Sequence, residues 1–148
     1  MAASSPILEH REHDHRRCAT DALGHAETIS RREGLRFTKQ RREVLQALLT
    51  SHVPASAYDV IDRLAENGRR LAPISVYRAL DFLIEIGLIH RIESMNAFVG
   101  CTHPTESHSG QFLICARCSA AVEMDDSGID DAVRRGAEQM GFQAQRQM

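Results

Sequence analysis

The spacing of apolar residues changes its period near residue 87 of this chain. Before that point apolar residues recur every three or four positions, the period of helices that bury one face. Thr38 and Ser56 are placed to cap helix starts, and Gly87 is placed to end a helix. Pro73 and Ser75 are placed to open the last helix of this part. The pattern predicts helices at residues 18–33, 39–50, 57–66 and 73–86.

Beyond Gly87 apolar and polar residues alternate, as they do in a half-buried strand. Residues 88–92 and 97–99 show this alternation on either side of a turn at residues 94–96, which predicts an antiparallel hairpin. Three helices followed by a two-stranded hairpin are the element order of a winged helix-turn-helix, in which the second helix of the motif enters the major groove of DNA.

The last third of the chain has the pattern of a second unit. Residues 112–114 and 120–123 are predicted strands, a helix is predicted at residues 129–140, and a further strand is expected from Phe142. We therefore predict an α+β fold with a hinge region at residues 94–111. Its predicted parts are a flexible tail at 1–17, a winged-helix DNA-binding domain at 18–100, and a small α/β metal-binding dimerisation domain at 101–148.

Charge and composition narrow the function. Residues 31–94 hold 11 Lys and Arg against 8 Asp and Glu, whereas residues 95–148 hold 4 against 7. Only the first of these segments is expected to meet a polyanion. No window approaches the roughly 20 apolar residues of a membrane span, and the N-terminus lacks the pattern of a secretory signal. We expect a cytoplasmic protein with reduced thiols, no membrane partner and no small organic substrate.

The helix at residues 73–86 carries side chains suited to reading DNA. Arg78 can bond both acceptors of a guanine edge, and Tyr77 can reach a phosphate or a thymine methyl. Ser75 lies off the apolar face of this helix, and Tyr58 is similarly placed in the helix before it. A basic cluster suited to phosphates consists of Arg36, Lys39, Arg41 and Arg42. The alternative is that these side chains form ordinary solvated helix faces.

Cysteine, histidine and glutamate residues collect around the predicted hinge. Zinc prefers Cys sulfur and His nitrogen and also takes carboxylates. The sequence predicts a zinc site where the hairpin that forms the wing of the winged helix, a loop and a later strand meet, with the ligands His90, Cys101, His108 and Glu123. Cys115 and Cys118 have the spacing of a zinc knuckle. A single histidine is more often an ordinary surface or core residue, and the histidines of residues 10–15 fit a flexible tail better than a metal-capturing tract.

Four segments carry a resemblance to a known family. They are residues 35–41 (LRFTKQR), 56–59 (SAYD), 76–83 (VYRALDFL) and 90–94 (HRIES). In these segments the chain resembles the ferric uptake regulator family, and within it the zinc uptake regulator branch, over about residues 26–142. The resemblance implies a winged helix, a C-terminal dimerisation domain, and zinc-activated binding of the homodimer to operators of zinc-uptake genes. It places a regulatory zinc ion on His90, Cys101, His108 and Glu123, and a structural zinc ion on Cys115 and Cys118.

The sequence departs from the family pattern after residue 142, where a second CxxC pair is expected and is absent. We therefore expect that the natural protein continues beyond Met148. We also expect this form to hold one zinc ion firmly, at the regulatory site, and a second weakly or not at all.

Three other functions are considered. An iron or peroxide sensor of the same family is one alternative, although the Cys101 thiolate favours zinc over iron(II). A zinc hydrolase with Glu123 as general base needs an open coordination position, which a site with four protein ligands lacks. A metal buffer that never binds DNA does not need the winged-helix order. We expect a zinc-dependent transcriptional repressor without enzymatic activity.

Overall fold

Five α-helices and two antiparallel hairpins make up most of the computed structural model, which describes residues 15–101, 104 and 110–144. In chain order the elements are α1 (His15–Arg32), α2 (Lys39–Leu48), α3 (Ala57–Glu66), α4 (Pro73–Glu85), β1 (Ile89–Ile92), a 3-10 turn (Glu93–Met95), β2 (Ala97–Gly100), β3 (Gln111–Ile114), β4 (Ala121–Met124) and α5 (Ser127–Gln139). The predicted α+β class is confirmed, and so is the predicted order of elements as far as α5. None of the described helices is long and apolar enough to cross a membrane.

The predicted side-chain caps are present at α2 and α3. The Thr38 hydroxyl accepts the backbone N–H three residues later, at 3.3 Å. At α3 the Ser56 hydroxyl accepts the Asp59 N–H (3.1 Å), and the Asp59 carboxylate accepts the Ser56 N–H (2.7 Å). This reciprocal capping box satisfies two backbone donors at the helix start. In contrast, α4 has no side-chain cap: Pro73 fills its first position, where no N–H partner is needed, and Ser75 lies inside the first turn.

Helices α1 to α4 enclose one apolar core together with the β1–β2 hairpin, which we call the wing. Its largest fully buried side chains include Leu45, Leu48, Val60, Val76, Leu80, Leu83, Leu88 and Ile89. Most of these lie on the helix faces that the apolar period predicts. Polar contacts join the helices at the rim of the core: Arg42 pairs with Glu27 of α1, and Arg63 of α3 donates to the Ala47 carbonyl of α2 at 2.9 Å.

The wing has two apolar faces because its side chains alternate across the sheet. Ile89 and Phe98 belong to one face and pack in the helical core. Ile92 and Val99 belong to the other face and form a second buried cluster with Ala121 of β4. The wing therefore contacts both halves of the described chain.

The β3–β4 hairpin is also attached to the helical part through the backbone. The Ala121 N–H donates to the carbonyl of His52, in the loop after α2, at 3.1 Å. Within the hairpin, Phe112 lies opposite Glu123. The following helix, α5, has no buried residue in this single chain.

Several helix boundaries differ from the predicted ones. α1 begins at His15, one turn before residue 18, and α2 ends at Leu48 rather than near residue 50. α5 covers Ser127–Gln139 rather than 129–140, because the Asp126 carboxylate caps it by accepting a backbone N–H at 2.8 Å. The strands agree with prediction to within one residue at each end.

The strand predicted from Phe142 is wrong for the residues described. The Phe142 N–H donates to the Ala137 carbonyl at 2.8 Å, after Gly141 has taken a φ of 77°. This is a helix C-cap of the Schellman type, which the apolar pattern alone does not distinguish from a strand start. Residues 102–103 and 105–109 lie outside the described residues, so the hinge and the domain boundary at residues 100–101 stay predictions.

Candidate metal centre and nucleic-acid interface

Three of the four predicted regulatory ligands lie together. His90 of β1, Cys101 just after β2 and Glu123 of β4 each offer one ligand atom, and these atoms lie within 4.8 Å of one another. The Nε2 atom of His90 is 2.8 Å from Oε1 of Glu123. The fourth predicted ligand, His108, lies outside the described residues.

Backbone pairing explains why residues so far apart in sequence meet here. The Cys101 N–H donates to the Leu88 carbonyl at 2.9 Å, so the chain still runs beside β1 after β2 has ended. The packing of Ala121 against the wing then brings β4, and with it Glu123, to the same side. The register of two hairpins and their mutual packing thus place the three side chains.

The His90 ring is held by its neighbours. The edge of Phe112 packs on it with ring centroids 5.3 Å apart and planes at 65°. Gly110 also lies close to both rings, because a Cβ atom there would be 3.2 Å from His90 Nδ1 and 3.1 Å from Phe112 Cε2. The nitrogen that faces Glu123 is Nε2.

The donor set fits zinc. The Glu123 side chain is only 1% exposed, and Cys101 is buried. A buried carboxylate is stable only with hydrogen bonds or a cation nearby. Ligands of a tetrahedral zinc ion with bonds of about 2.0 to 2.3 Å lie about 3.3 to 3.8 Å apart, so small side-chain movements suffice to close these three around an ion.

Cys115 and Cys118 form a separate thiol pair in the turn between β3 and β4. Both are free thiols, and the Cys115 N–H donates to the Ala120 carbonyl at 2.9 Å. The backbone N–H groups of Cys118 and Arg117, together with the Cys118 thiol, lower the pKa of the Cys115 thiol. A lowered pKa favours the thiolate, which is the form that binds metals.

The predicted DNA-reading side chains lie at the starts of α3 and α4. Tyr58 is 66% exposed, Tyr77 is 41% exposed, Arg78 is exposed and Ser75 is half-buried. Within the part of the chain that the structure describes, Arg78 forms no hydrogen bond or ion pair. Its guanidinium is therefore available to a ligand.

The basic cluster at the start of α2 divides into two kinds of residue. Arg36 and Lys39 are exposed, and Lys39 is 4.0 Å from Glu43. In contrast, the Arg41 guanidinium lies 3.5 Å from the centre of the Phe82 ring and donates to the Arg36 carbonyl. The half-buried Arg41 thus connects α2 to α4, a role that the sequence did not indicate.

Two further residues near these sites were not singled out from the sequence. Gly110 is recognisable only by its position two residues after the predicted ligand His108. Ile74, in the first turn of α4, is 59% exposed, and its signal is a spacing of four residues from Arg78.

Comparison with known proteins gives consistent similarities. The sequence pattern described as "Ferric uptake regulator family" matches residues 32–147. The zinc uptake regulation protein of Escherichia coli (strain K12) is 40% identical over 125 residues, which are 82% of this chain and 72% of that protein.

Solved structures with similar folds include a zinc uptake regulator and two forms of XcZur. A zinc uptake regulator complexed with zinc and DNA has a TM-score of 0.80 and 37% identity, covering 87% of each chain. Holo XcZur has a TM-score of 0.76 and 40% identity, covering 87% of this chain and 89% of its own. Apo XcZur, at the same identity and with 88% and 90% coverage, has a TM-score of 0.55.

Proposed function

Since this chain belongs to the ferric uptake regulator family, we propose that it represses zinc-uptake genes by binding their operators when it holds zinc. It is a metal-responsive DNA-binding regulator of the zinc uptake type and not an enzyme. The hydrolase alternative is therefore removed. The observation that carries the proposal is the meeting of His90, Cys101 and Glu123 between the wing and β4.

We propose that these three side chains hold the regulatory zinc ion, with His108 as the fourth ligand. A bound zinc ion supplies a fixed link between its ligands and no redox chemistry. The Cys101 thiolate supports zinc against the iron-sensing alternative, because soft sulfur ligands favour zinc over iron(II). The zinc named for the E. coli relative and for the solved DNA complex agrees with this choice.

The position of the site suggests how metal binding controls DNA binding. His90 belongs to the wing, Cys101 follows its last strand directly, and Glu123 belongs to the β3–β4 hairpin. When all three bind one ion, the wing cannot separate from the hairpin, and α4 packs beside the wing. The higher TM-score to holo than to apo XcZur supports the view that the described arrangement is the metal-bound one. Zinc then acts by favouring one arrangement of the two halves.

We propose that the DNA surface comprises Arg78, Tyr77 and Ser75 of α4, Tyr58 of α3, and the exposed cations before and within α2. Arg78 reads a guanine edge, while Arg36 and Lys39 contact phosphates. Arg41 contributes less to the phosphate contacts, because its guanidinium is already engaged on Phe82. Such a protein acts in the cytoplasm, where the operators are.

We also propose that a second copy of the chain covers the exposed apolar surface of the C-terminal part. Large apolar side chains exposed there are Leu113, Ile114, Val122, Ile129, Val133, Met140 and Phe142. A surface of this kind marks an interaction site, and two copies give the paired recognition helices that a two-fold operator requires. Sedimentation equilibrium is expected to give a dimer, and Val133→Asp is expected to shift it towards monomer.

The proposed function is tested by binding the full chain to duplexes selected from a random pool. With zinc, we expect selective binding of an inverted repeat, and with a zinc chelator we expect that selectivity to be lost. Manganese(II), a mimic of iron(II), serves as the control metal. Selective binding with manganese but not with zinc contradicts the zinc assignment, and selective binding in chelator contradicts metal control.

A further inference from the structure

The outward side of α4 carries a stripe of four residues with a clear order of polarity. Ile74, Arg78, Asp81 and Glu85 are spaced at four, three and four residues, so they line up on one side of the helix. The opposite side is formed by the buried Val76, Leu80 and Leu83. All four residues of the stripe are exposed. From the N-terminal end of the helix the stripe runs apolar, basic, acidic, acidic.

This order determines which end of α4 can enter a DNA groove. Phosphates repel Asp81 and Glu85 at the C-terminal end and attract Arg78 nearer the N-terminal end. The helix therefore inserts with its first two turns, as the recognition helix of a helix-turn-helix does. In that orientation Ile74 is the outermost residue of the stripe.

The only contact that the Ile74 side chain can offer there is an apolar one. Its side chain is 59% exposed and has no group that can form a hydrogen bond to a base. Tyr58 and Tyr77, the other exposed large apolar side chains of α3 and α4, also lie in the first or second turns of these helices. In the major groove, the apolar group on a base edge is the C5 methyl of thymine.

We propose that Ile74 is a specificity-determining residue that contacts a thymine methyl next to the base read by Arg78. The proposal rests on the DNA binding proposed above. Side chains four residues apart on a helix are separated by about 5 to 6 Å at Cβ, and base pairs stack about 3.4 Å apart. The thymine therefore lies one or two base pairs from the guanine that Arg78 contacts.

The test uses the zinc-loaded full chain and a duplex selected from a random pool. Each thymine of the half-site is replaced in turn by uracil, which removes only the methyl group. One such replacement is expected to weaken wild-type binding about fourfold, the loss for one buried methyl. Ile74→Ala is expected to weaken binding to the thymine duplex by about three- to tenfold, and to be insensitive to uracil at that position.

Two controls keep the outcome specific. Arg78→Ala is expected to lose its guanine preference but to keep the sensitivity to uracil. Thermal unfolding of Ile74→Ala is expected to match wild type, because the side chain is exposed. If Ile74→Ala loses equal affinity for thymine and uracil at every position, or loses none, the inference is overturned. If the wild-type chain selects no duplex at all, the proposed function fails instead, and the two failures are thus distinct.

Discussion

The imidazole Nε2 of His90 lies 2.8 Å from the carboxylate Oε1 of Glu123, and this contact joins the wing to the C-terminal hairpin. The two residues are on different hairpins, whose apolar side chains pack together, and a backbone hydrogen bond from Ala121 to His52 ties the second hairpin to the loop after α2. The ligand atoms are therefore positioned by the fold itself.

Removing the charge of Glu123 is expected to weaken zinc binding. Glu123→Gln preserves the size of the side chain and an oxygen that can accept from His90, but it removes the anionic ligand. Replacing a hydrogen-bond partner of a metal ligand typically costs about tenfold to a hundredfold in metal affinity. Because Glu123 is itself a proposed ligand, we expect zinc affinity to fall by at least that factor. Competition with a chromophoric chelator measures it. Glu93→Gln is the matched control, since Glu93 is exposed and pairs with the exposed Arg91, 3.3 Å away. Equal losses for both variants count against the assignment.

Adding one methyl group at Gly110 is expected to disturb the metal centre without unfolding the chain. A Cβ there meets His90 Nδ1 at 3.2 Å and Phe112 at 3.1 Å, so the imidazole has to move. We expect Gly110→Ala to lower zinc affinity in the same chelator competition. Gly24→Ala in α1 meets no atom within 4 Å and serves as the control. Unchanged zinc affinity in Gly110→Ala shows that the His90 ring is not held as described.

Arg78 and Lys39 are expected to differ in what they contribute to DNA binding. Arg78→Ala is expected to cost about 1 to 3 kcal/mol on the selected duplex and much less on random DNA, because it removes a base contact. Lys39→Ala is expected to weaken both duplexes alike and to reduce the salt dependence by about one phosphate contact. Titrations at several salt concentrations distinguish them. Equal losses on both duplexes for Arg78→Ala demote it to a backbone contact.

Arg41 is expected to matter for stability more than for DNA. Its guanidinium stacks on Phe82, and such contacts contribute about 0.5 to 2 kcal/mol. Arg41→Gln is expected to lower the free energy of unfolding in urea by that amount and to leave the salt dependence of DNA binding nearly unchanged. Arg36→Gln is expected to reduce the salt dependence of DNA binding and to leave the free energy of unfolding nearly unchanged. If Arg41→Gln reduces the salt dependence of DNA binding and leaves stability unchanged, Arg41 contacts a DNA phosphate after all.

The capping box of α3 predicts a pH dependence of stability. Hydrogen bonds from the Ser56 hydroxyl, and then from its backbone N–H, lower the pKa of Asp59. A lowered folded-state pKa means that the stabilisation is present above the unfolded value of about 3.9 and is lost as pH falls through the folded value. Asp59→Asn is expected to cost about 0.5 to 2 kcal/mol near neutral pH and little at the lowest pH. Urea unfolding of wild type and variant, with a zinc chelator present, measures this difference near neutral pH and at the lowest pH. An equal loss of stability at the two pH values argues against stabilisation by the ionised Asp59 carboxylate.

Local features of this fold were predictable from the sequence because neighbouring residues determine them. The cap of Ser56 and Asp59 and the period change at Gly87 involve residues within a few positions of one another. Phe142 was assigned wrongly since its N–H serves a helix end, which an apolar pattern does not reveal.

The site was predictable only in part, for a related reason. The ligand types of His90, Cys101 and Glu123 are visible in the sequence, but their meeting depends on how two hairpins pack. The stacking of Arg41 on Phe82 likewise joins two helices, and no spacing rule within one helix indicates it. Long-range packing therefore accounts for what the sequence did not provide.

The two-faced wing makes this protein unequally tolerant of changes in chain length. Because strand side chains alternate, loss of a single residue from β2 moves every following side chain to the opposite face. Phe98 and Val99 would then exchange surroundings, and the helical core and the metal centre would be damaged by the same event. A deletion in an exposed loop such as residues 67–70 has no such double effect. Single-residue deletions in β2 are therefore expected to be tolerated less well than deletions in exposed loops.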